Sequence, residues 1–213
     1  MENMWIPHIE KTGGMTLVHS LEKTDLLAFE NKDFQAYQNK GAYLYIHHNN
    51  PLKSNMMSWL KVLVVRDPID RYISAFNFQK WRNWFRFKKV DNRNIDEFMD
   101  SYYHLSHLDF LNSKNNDIEF TMGNVRSIFD FIYDVSELNK VFDLIEKRFL
   151  GKKIEWKSHN VSEKNIPHLN FHAGTDFSVF KRSDLTEIQV ERLKTLLSDD
   201  ILFYDYIQDN KQN

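Results

Sequence analysis

The hydrophobic positions of this chain fall into short apolar runs separated by longer segments with helical spacing. The runs at 4–9, 42–46, 61–65 and 128–135 predict four strands. The third run, KVLVV, is continuous and rich in β-branched residues, which is typical of a parallel strand buried on both faces. The pattern therefore predicts a sheet with at least one buried parallel strand.

Helical spacing appears between and after these runs. Helices are predicted at 16–21, 69–87, 138–149 and 188–197, with shorter helical pieces at 95–103 and 104–111. Ser136 is expected to cap the helix after the fourth strand, and Asp184 with Glu187 has the spacing of a capping box before the last helix. Strands that alternate with helices predict an α/β fold with a central, mainly parallel sheet flanked by helices.

The organisation along the chain predicts one domain over residues 1–213, with a helical insertion at about 77–127. Ligands of parallel α/β sheets bind at the carboxyl ends of the strands. In this chain, those ends are followed by residues 10–16, 47–50 and 66–74. Candidate chemistry is therefore expected at these three places.

Composition narrows the possible partners. The hydrophobic fraction of 42% and the charged fraction of 27% are those of a globular protein, and the net charge of −2 gives no overall field for nucleic acid or an anionic membrane. The absence of cysteine excludes disulfides, thiolate zinc sites and a cysteine nucleophile. No signal peptide or membrane-spanning stretch is recognisable, so we expect a soluble, cytoplasmic protein. The pattern does not indicate an oligomeric state.

The first of the three places, Lys11-Thr12-Gly13-Gly14-Met15-Thr16, lies between a strand and a helix. Glycines let the backbone approach an anion, and successive N–H groups at a helix start can bind phosphate. Lys11 would add a charge, while Thr12 and Thr16 would add hydroxyls. A plain Gly-Gly turn fits this segment equally well, and its residue order is not that of a Walker A loop.

The third place also runs from a strand end into a helix. Arg66 follows the strand, and Ser74 lies eight residues later, where both can reach one ligand. A guanidinium with a hydroxyl suits a second phosphate. The alternatives are a local Arg66–Asp67 ion pair and, for Arg71, a salt bridge on the helix surface, which we favour for Arg71.

These two segments resemble the cofactor motifs of carbohydrate sulfotransferases that use 3′-phosphoadenosine 5′-phosphosulfate (PAPS). Residues 8–17, HIEKTGGMTL, are similar to the family's 5′-phosphosulfate loop, H-I-P-K-T-G-G-T-[ST]-L, and residues 66–76, RDPIDRYISAF, to its 3′-phosphate motif, R-D-P-x-x-R-x-x-S-x-[YF]. Residues 131–138 and 200–204 are similar to later parts of the family, nearest the heparan sulfate 2-O-sulfotransferase branch. Two positions depart from the pattern: Glu10 replaces a proline and Met15 replaces a threonine.

The resemblance implies a P-loop-like three-layer fold and transfer of a sulfuryl group from PAPS to a hydroxyl of a sugar or glycan, leaving 3′-phosphoadenosine 5′-phosphate (PAP), with no metal required. It implies that Lys11 and the amides of residues 12–16 hold the 5′-phosphosulfate, and that Arg66 and Ser74 hold the 3′-phosphate. A histidine at the second place would be the catalytic base; His48 is the closer match and His47 the second. The insertion at about 77–127 would line the acceptor cleft.

Other interpretations remain open at this level. A nucleotide or small-molecule kinase would share the sheet, although a Walker A loop and acidic metal ligands are missing. A non-catalytic PAP-binding relative would explain Glu10 and Met15. The pairs His104–His107 and His168–His172 have metal-compatible spacing, but surface or hydrogen-bonded histidines are favoured. Residues 81–89 interleave Trp, Phe and basic side chains, which fits an amphipathic helix end or a sugar-facing wall.

Overall fold

A computed structural model describes residues 1–21, 24, 26–30, 35–46, 51–87, 94–102, 104–156 and 179–210. The chain divides into two compact units. The first unit comprises Met1–Arg66, Leu105–His159 and Phe203–Asn213, and the second comprises Asp67–His104 and Asn160–Leu202. The prediction of a single domain with an insertion at about 77–127 stays a prediction; residues 105–127 belong to the first unit.

The first unit contains a sheet of six strands among the described residues. They are β1 Met4–Trp5, β2 Leu27–Glu30, β3 Gln35–Asn39, β4 Ala42–Tyr45, β5 Leu60–Val65 and β6 Phe131–Asp134. Their order across the sheet is β2-β3-β4-β1-β5-β6. Strands β4, β1, β5 and β6 are parallel, while β2 and β3 form an antiparallel edge. The predicted α/β fold with a mainly parallel sheet is confirmed.

Strand β5 of the first unit is buried on both faces. Successive side chains of a strand point to opposite sides, so its residues enter two different clusters. On β5, Val62 and Val64 join one apolar cluster, and Leu63 and Val65 join another. The first cluster also contains residues from helices on that face, including Leu17 and Val141, and the second includes Phe110 and Phe203. The continuous β-branched run predicted this two-sided burial.

The described helices are α1 Gly14–Leu21, α2 Pro68–Phe87, α3 Ile95–Ser101, α4 His107–Asn112, α5 Val125–Ile128, α6 Leu138–Leu144, α7 Glu187–Leu196 and α8 Ser198–Asp209. Short 3₁₀ turns lie at Ser54–Met56, Val135–Glu137 and Arg182–Asp184, and a π-helical segment, Ile145–Leu150, continues α6. None of the helices in the described ranges combines the length and apolar character needed to cross a membrane.

The second unit has its own apolar core, to which α2, α3 and α7 contribute. Tyr72 and Phe76 of α2 pack edge-on against Phe98 of α3, with ring centroids 5.2 and 5.3 Å apart. Leu193 of α7 is fully buried in the same cluster. Asn77 joins the later part of this unit to α2, since its side chain exchanges two hydrogen bonds with the main chain of Phe180.

Several predicted boundaries were wrong. The fourth predicted strand, 128–135, begins only at Phe131, because Val125–Ile128 forms α5. Asp134 rather than Ser136 caps the following turn, accepting from the Ser136 N–H at 2.8 Å. The capping box before α7 is made by Thr186 and Gln189, not by Asp184 and Glu187.

Three elements were missing from the prediction: the strands β2 and β3 and the helix α8. The hairpin β2–β3 was not predicted, because its residues have no clear alternation of apolar and polar positions. Helix α8 was also missed: the chain resumes a helix at Ser198, directly after the last predicted helical residue.

Candidate functional site

The candidate site lies at the carboxyl edge of the parallel strands in the first unit. Strand β1 is central here, because it pairs in parallel with β4 on one side and with β5 on the other. The loop after β1 therefore lies between the ends of two neighbours. Arg66 directly follows β5, so the two motifs leave adjacent strands.

The loop after β1 enters left-handed backbone twice before α1 begins. Lys11 has a φ of 66° and Gly13 a φ of 89°. Left-handed backbone is uncommon for lysine, so the surrounding structure must hold Lys11 there. Between them, Thr12 is buried, and its hydroxyl donates to the carbonyl of Ile9 at 2.8 Å. The hydroxyl proton of Thr12 is therefore used inside the loop.

Gly14, the first residue of α1, lies directly against the buried imidazole of His8. A Cβ at this position would overlap the ring, so only glycine fits without rearrangement. A Cβ on Gly13 would lie 2.5 Å from Cδ1 of Leu138, the end of a side chain that can move. The close approach of loop and helix start thus depends on Gly14 most strongly.

The start of α1 has the features of an anion site. The first N–H groups of a helix have no partners within the helix and carry its partial positive charge. The first turn of α1 contains no acidic residue to offset that charge. Thr16, half-buried in the same turn, donates its N–H to the carbonyl of Gly13 at 2.9 Å. Met15 lies within this turn, and its backbone is helical.

The two motifs meet through a direct hydrogen bond. Nη1 of Arg66 donates to the main-chain carbonyl oxygen of Lys11 at 3.1 Å. The acceptor belongs to Lys11, the residue with left-handed backbone, so the bond stabilises that conformation. The guanidinium of Arg66 therefore supports the backbone of the first motif.

Lys11 carries an unusual charge balance. Burial lowers the pKa of its ammonium to about 8, the nearby charge of Glu10 raises it, and Arg66 lowers it. The exposed Glu10 therefore favours the protonated form of Lys11. A partly desolvated ammonium beside a guanidinium gains when an anion binds, because the anion stabilises both charges.

His107 forms a hydrogen bond with the backbone of Arg66. At the start of α4, its imidazole is fully buried and stacks on Phe203, with ring centroids 5.7 Å apart. Its Nε2 accepts the backbone N–H of Arg66 at 3.3 Å. Sequence analysis missed this role, because it treated His107 only as part of a spacing with His104. Nothing in local sequence relates residue 107 to residue 66.

Ser74 belongs to the second unit, where it is half-buried on α2. Its predicted role beside Arg66 stays a prediction. Asp67, also in the second unit, accepts from the Asp70 N–H at 3.0 Å and pairs with Arg182 at 3.0 Å. The carboxylate of Asp67 thus caps the start of α2 and pairs with an arginine of the same unit.

Arg71 is not the surface residue that the sequence suggested. It is 3% exposed and pairs with Asp200, which is 1% exposed, at 3.5 Å. Nε2 of His104 lies 3.2 Å from the same carboxylate. Because charges buried at this depth need partners, this cluster belongs to the core of the second unit. The ion pair was correctly expected, but its surface location was wrong.

The predicted base, His48, and the second candidate, His47, lie outside the described residues. The same holds for His168 and His172, for residues 88–89, and for the side chains of residues 81–87. Strand β4, which ends two residues before His47, is the described neighbour of β1. Within the described ranges, no three His, Asp or Glu side chains form a group that could hold a metal ion.

With the geometry established, comparison with known proteins adds no identification: the chain matches no protein-family model and no curated protein.

Proposed function

We propose that this chain is a PAPS-dependent sulfotransferase of P-loop-like fold that acts on a hydroxyl of a sugar or glycan. The observation that carries the proposal is the hydrogen bond from Nη1 of Arg66 to the carbonyl of Lys11. It links the segment that resembles the 5′-phosphosulfate loop to the segment that resembles the 3′-phosphate motif. A donor with phosphates on both sides of its ribose needs two anion sites near each other, and a direct bond between the two segments supports such a pair.

The residues of the loop fit the phosphosulfate end of such a donor. Gly14 brings the start of α1 close to the loop, and the helix offers N–H groups to an anion. Lys11 lies half-buried at the same turn with a pKa of about 8. On our proposal, the amides of Gly13, Gly14 and Met15 hold the 5′-phosphate, since those of Thr12 and Thr16 donate to carbonyls within the loop. Lys11 neutralises charge on the oxygen that leaves sulfur.

The second anion site is assigned to Arg66. A guanidinium matches the geometry of a phosphate, which it can hold through two parallel hydrogen bonds. The motif assigns Ser74 to the same phosphate, and that assignment is carried by the sequence alone.

The reaction is an in-line displacement at sulfur. The acceptor hydroxyl oxygen forms a bond to sulfur while the bond from sulfur to the phosphate oxygen breaks, and PAP leaves with the electron pair. The hydroxyl proton passes to a base, for which His48 is proposed and His47 is second. Catalysis in this scheme comes from positioning and from fixed positive charge, as in phosphoryl transfer.

The test is transfer of radiolabelled sulfate from PAPS to a panel of oligosaccharides, with separate calorimetric titrations of PAP and of ATP with Mg²⁺ alongside. Labelled product is expected with at least one acceptor, and no ATP binding is expected. Binding of ATP with Mg²⁺ and not of PAP would instead support a kinase. Binding of PAP without transfer to any acceptor would support a non-catalytic relative, the interpretation that Glu10 and Met15 leave open.

A further inference from the structure

His107 is a buried residue outside the two sequence motifs that forms a hydrogen bond with the first residue of the second motif. Its side chain is 0% exposed, and it accepts the backbone N–H of the residue that follows β5. A ring nitrogen accepts only when it carries no proton, so Nε2 of His107 is the unprotonated nitrogen in this arrangement.

The ring is held in place from two directions. Ser106 caps α4 in a reciprocal box with Asp109, which fixes where the helix begins and so where His107 stands. Phe203 of α8 stacks on the ring with an interplanar angle of 29°. The imidazole of His107 is therefore held rigidly, and its hydrogen bond fixes the position of the Arg66 backbone N–H.

That backbone belongs to Arg66, whose side chain holds the carbonyl of Lys11. The contacts form a continuous series from the start of α4, through His107, to the main chain and then the guanidinium of Arg66, and on to the left-handed turn at Lys11. Both proposed anion sites are thus connected to one buried imidazole.

We propose that His107 is a positioning residue for the donor site: without touching the donor, it orients Arg66 and through Arg66 the loop at Lys11. The proposal rests on the proposed function, since the ligand whose affinity it controls is PAP or PAPS. It predicts that the hydrogen-bond acceptor at residue 107, rather than the aromatic ring, controls donor affinity.

The test is a pair of variants that separate these two properties. His107→Phe keeps a ring to stack on Phe203 but has no acceptor, whereas His107→Gln loses the ring but places an amide oxygen near the position of Nε2. Calorimetry with PAP is expected to give about tenfold weaker binding for His107→Phe, which corresponds to about 1.4 kcal/mol. His107→Gln is expected to stay within about threefold of wild type.

A cycle with Arg66→Met separates positioning from general damage. In the Arg66→Met background, His107→Phe should cause no further loss of PAP affinity, because the side chain that it orients is gone. Equal losses in both backgrounds, or unchanged affinity in a folded His107→Phe variant, would overturn the proposal. Should His107→Phe not fold, His107→Asn replaces it, since its shorter amide does not reach the Arg66 N–H.

The cycle also distinguishes this proposal from the function on which it rests. If wild-type protein does not bind PAP, the proposed function fails and the role of His107 fails with it. If wild type binds PAP and both His107 variants bind it as tightly as wild type does, only the positioning role is refuted.

Discussion

Gly14 and His8 are in direct contact, and the space between them admits no side chain on residue 14. The imidazole of His8 is 3% exposed, so it cannot turn outward without opening the core around it. This contact sets how closely the start of α1 approaches the loop after β1. It explains in packing terms why the second glycine of the motif is needed.

The substitution Gly14→Ala should therefore destabilise the protein by about 1–3 kcal/mol, as overpacking of a filled site usually does. Urea unfolding measures this as a lower midpoint at constant slope. Gly123→Ala is the matched control, because the nearest atom to its new Cβ is Oγ1 of Thr121 at 3.8 Å, an ordinary contact. Equal stability of Gly14→Ala and Gly123→Ala would contradict the packing described at His8.

Lys11 should make donor binding depend on pH. Its pKa of about 8 means that the ammonium loses its proton near that pH in the free protein. A bound anion favours the protonated form, so PAP affinity should fall as the pH rises from 7 through 8 to 9, by up to about tenfold per pH unit above 8. Lys11→Met should bind weakly and without this dependence, while the exposed Lys147→Met should keep it. A wild-type affinity that does not change between pH 7 and 9 would contradict the account.

The same lowered pKa has a consequence for stability. Burial disfavours the charged lysine in the folded state, so its cost is fully present below pH 8 and declines as the pH rises from 8 toward 10.5. Lys11→Met should accordingly stabilise the fold at pH 7 more than at pH 9.5. A variant that gains stability while losing PAP binding is the expected behaviour of a residue retained for ligand binding rather than for folding. The comparison of urea midpoints at the two pH values checks the sign.

Asp200 should be essential to the second unit. Its carboxylate is buried with Arg71 and His104, so Asp200→Ala leaves a buried guanidinium without its acidic partner. The expected cost is about 3–5 kcal/mol. Asp199→Ala is the control, since Asp199 is exposed in the first turn of the same helix and should cost less than about 1 kcal/mol. Similar midpoints for the two variants in urea would show that the cluster does not support the core.

His48 is expected to act in the transfer step and not in donor binding. His48→Ala should abolish transfer of radiolabelled sulfate while PAP affinity stays near that of wild type. His47→Ala, in the adjacent residue, is the natural comparison. Undiminished turnover in His48→Ala would remove it as the base, and loss of turnover in His47→Ala alone would assign the role to His47.

The buried sheet could be predicted from the sequence because its signal is local. The run at 61–65 needs burial on both faces whatever surrounds it, and β5 occupies Leu60–Val65. The antiparallel hairpin β2–β3 gave no such signal, since it pairs at the edge through backbone hydrogen bonds that polar residues make equally well. Caps were misplaced by a few residues, because Ser, Asp and Thr are interchangeable candidates until the helix start is known.

The site was predicted in part for the same reason. The order of residues 11–16 and the position of Arg66 after a strand follow from sequence and from the geometry of parallel sheets. The left-handed backbone of Lys11 and the acceptor role of His107 do not, because both depend on contacts between residues 41 to 55 positions apart. Arg71 was assigned to the surface because helical spacing alone does not reveal that Asp200 is buried opposite it.

The central claim is that Arg66 and the Lys11 loop form one donor site, and calorimetric titration of PAP into wild type and Arg66→Met tests it most directly. Wild type should bind PAP, and Arg66→Met should bind it at least about tenfold more weakly. The variant loses charge-assisted hydrogen bonds to the donor and the bond that stabilises the backbone of Lys11. Arg148→Met, which removes an exposed arginine paired with Glu2, should bind like wild type. Absence of PAP binding to wild type, or equal binding by Arg66→Met and Arg148→Met, would contradict the account.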